Sequence, residues 1–199
     1  MSFSLPKPST AISDAIENVR KKRKKRIIFF ASAGNSSSDR GEAYPAQDPH
    51  VISIYASDSQ GTFLKSNPTS SRDGPRPLGT YGDDVPNSII DEMNRFFPNK
   101  DFSPGTSIAT AVAAGIAATM LSYSAALPGL LQINDFGEVL ERLKTARGMT
   151  NMLRVMSQNT DHRGDFINPI RFWSEISKDL DVFVKICQAV GNVSIAEDP

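Results

Sequence analysis

The run Ile108-Ala109-Thr110-Ala111-Val112-Ala113-Ala114-Gly115, directly behind Gly105-Thr106-Ser107, constrains this chain more than any other stretch. Small and apolar residues without a polar face predict a buried helix, residues 107–123. A serine behind a glycine at the head of such a helix sits among free backbone N–H groups. There the helix dipole also favours a developing negative charge. A plainer role fits the same residues, with Thr106 or Ser107 only capping a core helix.

The apolar run Ile27-Ile28-Phe29-Phe30 predicts a strand over 27–32, buried on both faces of a parallel sheet. Ala31-Ser32-Ala33-Gly34-Asn35 ends it. An Asn just past the carboxyl end of such a strand lies where open α/β sheets place their sites. Its side-chain NH2 is a neutral donor suited to an oxyanion, or the residue merely closes a turn. Tyr44-Pro45-Ala46 and a second strand, Val51 to Ala56, follow.

In that order, A-G-N, Y-P-A-x-x-P, V-I-x-I-x-A-x-D and G-T-S-x-A-T resemble the subtilisin-like serine peptidases of the S8 family. The likeness covers roughly residues 1–121. It implies an α/β fold: three layers, doubly wound, around a mostly parallel sheet, truncated at the N-terminus and followed by a helical C-terminal tail. A partial peptidase domain is expected over 1–125. Residues 126–199 are expected to be a helical extension packing on it or on a neighbouring domain.

The resemblance also implies roles. Ser107 matches the nucleophile, which forms an acyl-enzyme during peptide hydrolysis. Asn35 matches the oxyanion-hole side chain, whose removal from subtilisin lowers turnover by about 10²–10³-fold. Ser32, Ala33 and Gly34 match one wall of the pocket for the substrate side chain preceding the cut. Ala43, Tyr44, Pro45 and Ala46 match the other. Ser2, Phe3 and Ser4, in a strand end over 1–5, match the segment that pairs with an extended substrate. The Tyr44–Pro45 bond is expected to be cis. Ala33 and Ala43 suggest a roomy apolar pocket. No cofactor is implied; the partner is a peptide or protein substrate.

Three family residues near the serine differ, with Ile108, Ala111 and Val112 replacing the usual Met and Pro-His. None carries the chemistry. The base does, and it is not found. A serine needs a base, and the base an orienting carboxylate. The family order is Asp, His, Ser. His50 precedes Ser107 but lies in the wall segment, and His162 follows it in Asp161-His162-Arg163-Gly164. Asp39-Arg40-Gly41 comes after Asn35, where the family Asp does not lie. The expectation is a half-site that needs an N-terminal half-domain carrying Asp and His, with little activity alone. The alternative is a pseudoenzyme that binds peptides without cutting them.

Hydrophobic residues at 39% and charged residues at 22% are ordinary for a globular domain. No signal peptide and no unbroken apolar run of membrane-spanning length is seen. The single cysteine, Cys187, is expected to be buried and excludes a disulfide framework, a weak pointer to the cell interior. Arg20-Lys21-Lys22-Arg23-Lys24-Lys25-Arg26 concentrates the cations. It fits the carboxyl end of a helix over 10–26 with Ile12, Ala15, Ile16 and Val19 as its apolar stripe, capped by Ser9 or Thr10. Nuclear import or a nucleic-acid adaptor is the other reading, although no interleaved aromatics supply a stacking platform. Asp83, Asp84, Asp91 and Glu92 read as solvated carboxylates rather than a metal site.

Residues 57–104 read as mostly irregular, with a turn at Gly79–Gly82 and a mobile insertion at 66–77. After Pro128 three helical stripes are expected. They are Phe136, Val139, Leu140 and Leu143; Met149, Met152, Leu153 and Met156; and Trp173, Ile176, Leu180, Phe183, Val184 and Cys187.

Overall fold

Ala109, Ala113 and Ala117 recur every fourth residue and are at most 2% exposed. Small side chains at this spacing let a helix lie close on a sheet. In the computed structural model that helix, α3 (Thr106–Leu131), is the long core helix. The structure describes residues 1–24, 26–37, 41–70, 74–83, 87–96, 98, 104–176 and 178–194.

The chain runs α1 (Thr10–Lys22), β1 (Phe29–Ser32), β2 (Val51–Ser57), β3 (Leu78–Tyr81), α2 (Asn87–Phe96), α3, α4 (Gly137–Leu143), α5 (Ala146–Val155), β4 (Ser157–Asp161), β5 (Gly164–Ile167), α6 (Pro169–Glu175) and α7 (Asp179–Val190). The five strands form one sheet in the order β1-β2-β3-β5-β4. β1, β2, β3 and β5 are parallel neighbours, and β4 is the antiparallel edge. This is the mostly parallel α/β sheet expected, with helices after Pro128.

Two cores flank the sheet. Phe30, Ile52, Ile54, Ala56 and Leu78 face α3, and this core continues through Met149, Met152 and Leu153 to Val182 and Ile186 of α7. Ala31 and Val51 face the other way and bury Ile16 of α1. On that second face, near the carboxyl ends of the strands, Ala33, Tyr55 and Phe63 form a separate cluster. The point between residues 125 and 126 falls inside α3. The residues after it supply β4 and β5 to the same sheet.

Several expectations are corrected. Residues 1–5 form no strand. Met1 alone lies beside β1, donating to Phe30 O and accepting from Ser32 N–H, and Leu5 makes an isolated antiparallel bridge to Tyr44. β1 starts at Phe29 rather than Ile27, and α1 ends at Lys22, with Lys24 at φ 50. Ser9 makes no side-chain cap, Ala15 is exposed, and the buried partner of Ile16 is Arg20 at 6% exposure. Arg20 bonds Glu17 at 3.0 Å, Lys21 lies 3.4 Å from the same carboxylate, and Arg26 pairs with Glu141. The cation run is therefore partly spent on carboxylates of its own chain. Lys25 lies outside the described residues.

The Gly79–Gly82 turn is in fact strand β3 and its end. Its glycines are there for packing, since a Cβ on Gly79 would meet the Phe63 ring at 2.7 Å. The insertion expected at 66–77 is tied down at both ends. Asn67 bonds the Ala56 backbone twice (2.9 and 2.7 Å), and Arg76 bonds Asp165 at 2.8 Å. Residues 71–73 lie outside the described part, as do Asp39, Arg40 and Asp84.

α3 begins at Thr106 and runs through Pro128 to Leu131, since a proline in the last turn leaves earlier hydrogen bonds intact. By length and composition α3 is apolar enough to cross a membrane, but here one face packs on the sheet. The polar residues 157–161 form β4, an edge strand that needs little apolar surface. The last stripe is divided. Ile176 is extended, Leu180 and Val184 are 53% and 43% exposed, and α7 buries Val182, Ile186, Ala189 and Val190 instead. Cys187 is half-buried.

Candidate active site

β1 runs out at Ser32 into Ala33 and Gly34, and Gly34 turns the chain at φ 115 to present Asn35. The other side is built by Gly105, at φ 154, at the head of α3. A Cβ on Gly105 would stand 2.6 Å from the Asn35 amide. Thr106 locks the two together. Its N–H and its hydroxyl each donate to Asn35 Oδ1 at 2.9 Å, and Gly34 N–H donates to Thr106 Oγ1 at 3.3 Å. With Oδ1 committed, the Asn35 NH2 is left as a donor with no acceptor among the described residues.

Ser107 follows Thr106, half-buried in the first turn of α3. Its backbone N–H has no intrahelical acceptor there. Its hydroxyl donates to Ser2 O at 3.1 Å. A backbone carbonyl accepts that hydrogen bond but cannot take the proton. No titratable side chain among the described residues bonds Ser107. A groove of about 450 Å³ opens beside it, lined by Met1, Ser2, Phe30, Thr110 and Ala111 among others.

Residues 32–34 and 43–46 lie directly against each other, with Ala33 fully buried. Ala43 N–H donates to Ala33 O at 2.8 Å, and Ser32 N–H to Met1 O at 3.0 Å. The Tyr44–Pro45 bond is cis, as expected. Leu5 N–H donates to Tyr44 O at 2.8 Å, while the Tyr44 hydroxyl bonds Ser9 O and Ser13 Oγ. Pro45 is buried behind the wall, and Ala46 packs in the α1 core. Ser2, Phe3 and Ser4 are exposed, and Phe3 and Ser4 pair with no strand among the described residues.

Two residues carry more than the sequence reading assigned them. Thr106, read as a cap, is the anchor of Asn35; the signal was its place inside G-T-S. Glu42, unread, immediately precedes Ala43. Its carboxyl stands by Ser53 and Tyr55 of β2, and burial pushes it above the ordinary carboxylate range. Burial, then the Glu42 charge, also pushes the Tyr55 phenol up.

Neither histidine belongs to the site. His50 immediately precedes β2, at the amino end of the strands, with Nε2 3.8 Å from Glu17. His162 sits in the turn before β5, whose Asp165 pairs with Leu78 at the start of β3. Asn35 and Ser107 lie at the opposite, carboxyl end.

A sheet with these two groups meeting at its carboxyl edge defines a protein of the serine-peptidase fold. The model of the subtilase family, Peptidase S8, matches residues 1–150, so the chain belongs to that family. Solved structures agree in fold. The prenylagaramide maturation protease PagA is similar at a TM-score of 0.56 and 18% identity, over 88% of this chain and 59% of its own. A mutant protease domain of PatA gives 0.57 and 18%, over 96% and 58%. The PatG macrocyclase in complex with peptide gives 0.54 and 15%, over 95% and 50%. This chain thus spans less than two thirds of each relative. No protein of curated function matches it.

Proposed function

We propose that this chain carries the nucleophile and oxyanion half of a serine endopeptidase site. Ser107 attacks the scissile carbonyl and forms the acyl-enzyme. The Asn35 NH2 and the Ser107 N–H hold the tetrahedral oxyanion at the positive end of α3. Ser2, Phe3 and Ser4 pair with the extended substrate, and the walls 32–34 and 43–46 take the side chain before the cut.

The observation carrying this reading is the Thr106 anchor. It fixes Asn35 Oδ1 one residue from Ser107 and so aims the remaining donor. The chain as it stands hydrolyses peptides slowly, because the Ser107 proton faces a carbonyl instead of a base. A base approaches through the groove beside Ser107, from a further polypeptide segment. Residues 1–125 act as the peptidase part, and 126–199 as an extension that completes its sheet with β4 and β5.

Labelling with a fluorophosphonate in high imidazole tests the assignment, since imidazole entering the groove replaces the missing base. Imidazole-dependent labelling of the wild type, absent in Ser107→Ala, is the expected result. Peptide binding with no labelling under any condition favours the second reading, a non-catalytic peptide binder. The hydroxyl's present partner is the observation that favours that reading. Salt-dependent binding of DNA through residues 20–26 is not expected, because Arg20, Lys21 and Arg26 already face carboxylates.

A further inference from the structure

The sheet has two free edges, and they differ. β4 is polar throughout and ends in Asp161. β1 and the residues leading into it, Ile27 to Ser32, carry no charge and no proline. Folds blunt an exposed apolar edge with charge or proline, or cover it. The helix beside this edge is uncharged too, with no Asp, Glu, Lys or Arg between Thr106 and Leu131. Between the two runs the groove next to Ser107, with Ile28, Phe29 and Phe30 on one side and Ala111 and Ala114 on the other. Ala111 is exposed, and Ile28, Phe29 and Ala114 are half-buried.

Met1 already shows how this edge is used. Its nitrogen donates to Phe30 O, and its carbonyl accepts from Ser32 N–H at 3.0 Å. One residue bonded to the groups on either side of Ala31 is the repeat of a parallel ladder, with Met1 opposite Ala31. Opposite residues share a face, and Met1 accordingly packs with Ala31 and Ile16. A residue before Met1 would therefore stand opposite Phe30, with its side chain towards Ala111 and Ala114. The residue before that would stand opposite Phe29 and meet Phe30 N–H and Ile28 O. These two groups face the same edge and have no backbone partner among the described residues.

We propose that this edge is the docking surface of a parallel β-strand that runs up to Met1, with an apolar side chain filling the groove against Ala111 and Ala114. The occupant is the further segment that brings the base to Ser107, so its identity rests on the peptidase reading, whereas the strand pairing does not. The strand ends one residue from Ser2, whose carbonyl holds the Ser107 hydroxyl at 3.1 Å. Seating the strand therefore seats that carbonyl as well. The uncharged groove selects an apolar side chain over a charged one.

Fusing Gly-Val-Thr-Ile directly before Met1 of the whole chain tests this. The expected result is slower hydrogen exchange of the Phe30 amide, by about tenfold or more, together with a higher Tm. With Gly-Val-Thr-Asp, which puts a charge in the groove, both gains are expected to vanish. An unchanged Phe30 amide in the first fusion, or equal slowing in both, overturns the proposal. So does a Phe30 amide in the unextended chain whose protection rises with protein concentration, since a second copy then covers the edge.

Should the aspartate fusion fail to fold, Ala111→Glu is the second variant. It is expected to leave the Tm of the unextended chain unchanged and to cancel the gain from Gly-Val-Thr-Ile. Equal effects in the two chains overturn the proposal. Imidazole-dependent labelling of Ser107 is read on the same samples. Labelling without Phe30 protection overturns the strand and leaves the peptidase reading in place; protection without labelling does the reverse.

Discussion

The two ends of the parallel strands carry opposite kinds of polar group. At the amino end they are charged and answer one another. Arg76 and Arg154 both grip Asp165, and Glu17 gathers Arg20, Lys21 and His50, whose Nδ1 is buried without a hydrogen-bond partner among the described residues. At the carboxyl end the groups next to Ser107 are neutral: Gly34, Asn35, Gly105 and Thr106. They are ordered by backbone turns and by hydrogen bonds among neutral groups. One end uses its polar groups to hold the sheet; the other keeps a donor with no acceptor of its own. Asn35 is exposed, so that donor stays open to solvent or to an incoming acceptor.

The sharpest way to break this contrast is Gly105→Ala. The φ of 154 and the 2.6 Å approach to Asn35 predict a loss of about 3 kcal/mol in urea unfolding. In an Asn35→Ala background the same change is expected to cost less, because the obstructing amide is gone. Equal costs in both backgrounds would mean that Asn35 does not set the geometry. At the other end, Asp165→Ala takes the shared carboxylate from two guanidiniums, which keep Asn159 and backbone carbonyls as partners. Both keep solvent contact, at 42% and 31% side-chain exposure, so about 2 kcal/mol is expected, below the cost for a fully buried pair.

Asn35→Ala alone is expected to cost only about 1 kcal/mol in stability. It should nevertheless lower imidazole-dependent labelling of Ser107 by about 10²-fold or more. A variant that is destabilised but labels normally would move the oxyanion hole elsewhere.

The smallest effect is in pH. The folded Glu42 carboxyl binds its proton more tightly than the unfolded one. Its contribution is therefore complete below the ordinary pKa of about 4.3 and fades as pH rises through the folded value. A wild-type stability curve that flattens in Glu42→Gln over that window is the expected measurement.

Much of the site was legible because short motifs carry it. Ala33-Gly34-Asn35 needs one glycine to turn a strand end, and Gly105-Thr106-Ser107 needs one to let a helix head approach an amide. The rest depends on partners distant in sequence. Leu78–Tyr81 carries a glycine and turn-like flanks and becomes a strand by pairing with β2 and β5, with Phe63 filling the space over Gly79. Residues 157–161 have no strand signal and take their conformation from pairing with β5. Trp173 to Cys187 has continuous helical periodicity, but Ile176 turns extended and the buried face shifts by about a third of a turn. Glu42 was overlooked because nothing local distinguishes it; its meaning comes from Tyr55, a strand away.

Gly82 and Gly105 meet, with Gly105 N–H donating to Gly82 O at 2.7 Å, and neither admits a methyl group without collision. All that the chain does between them, α2 included, begins and finishes at one clasp. The intervening stretch can therefore be shortened, extended or replaced with foreign sequence at modest entropic cost, without displacing the serine beyond it. That makes it a convenient place for inserting a reporter.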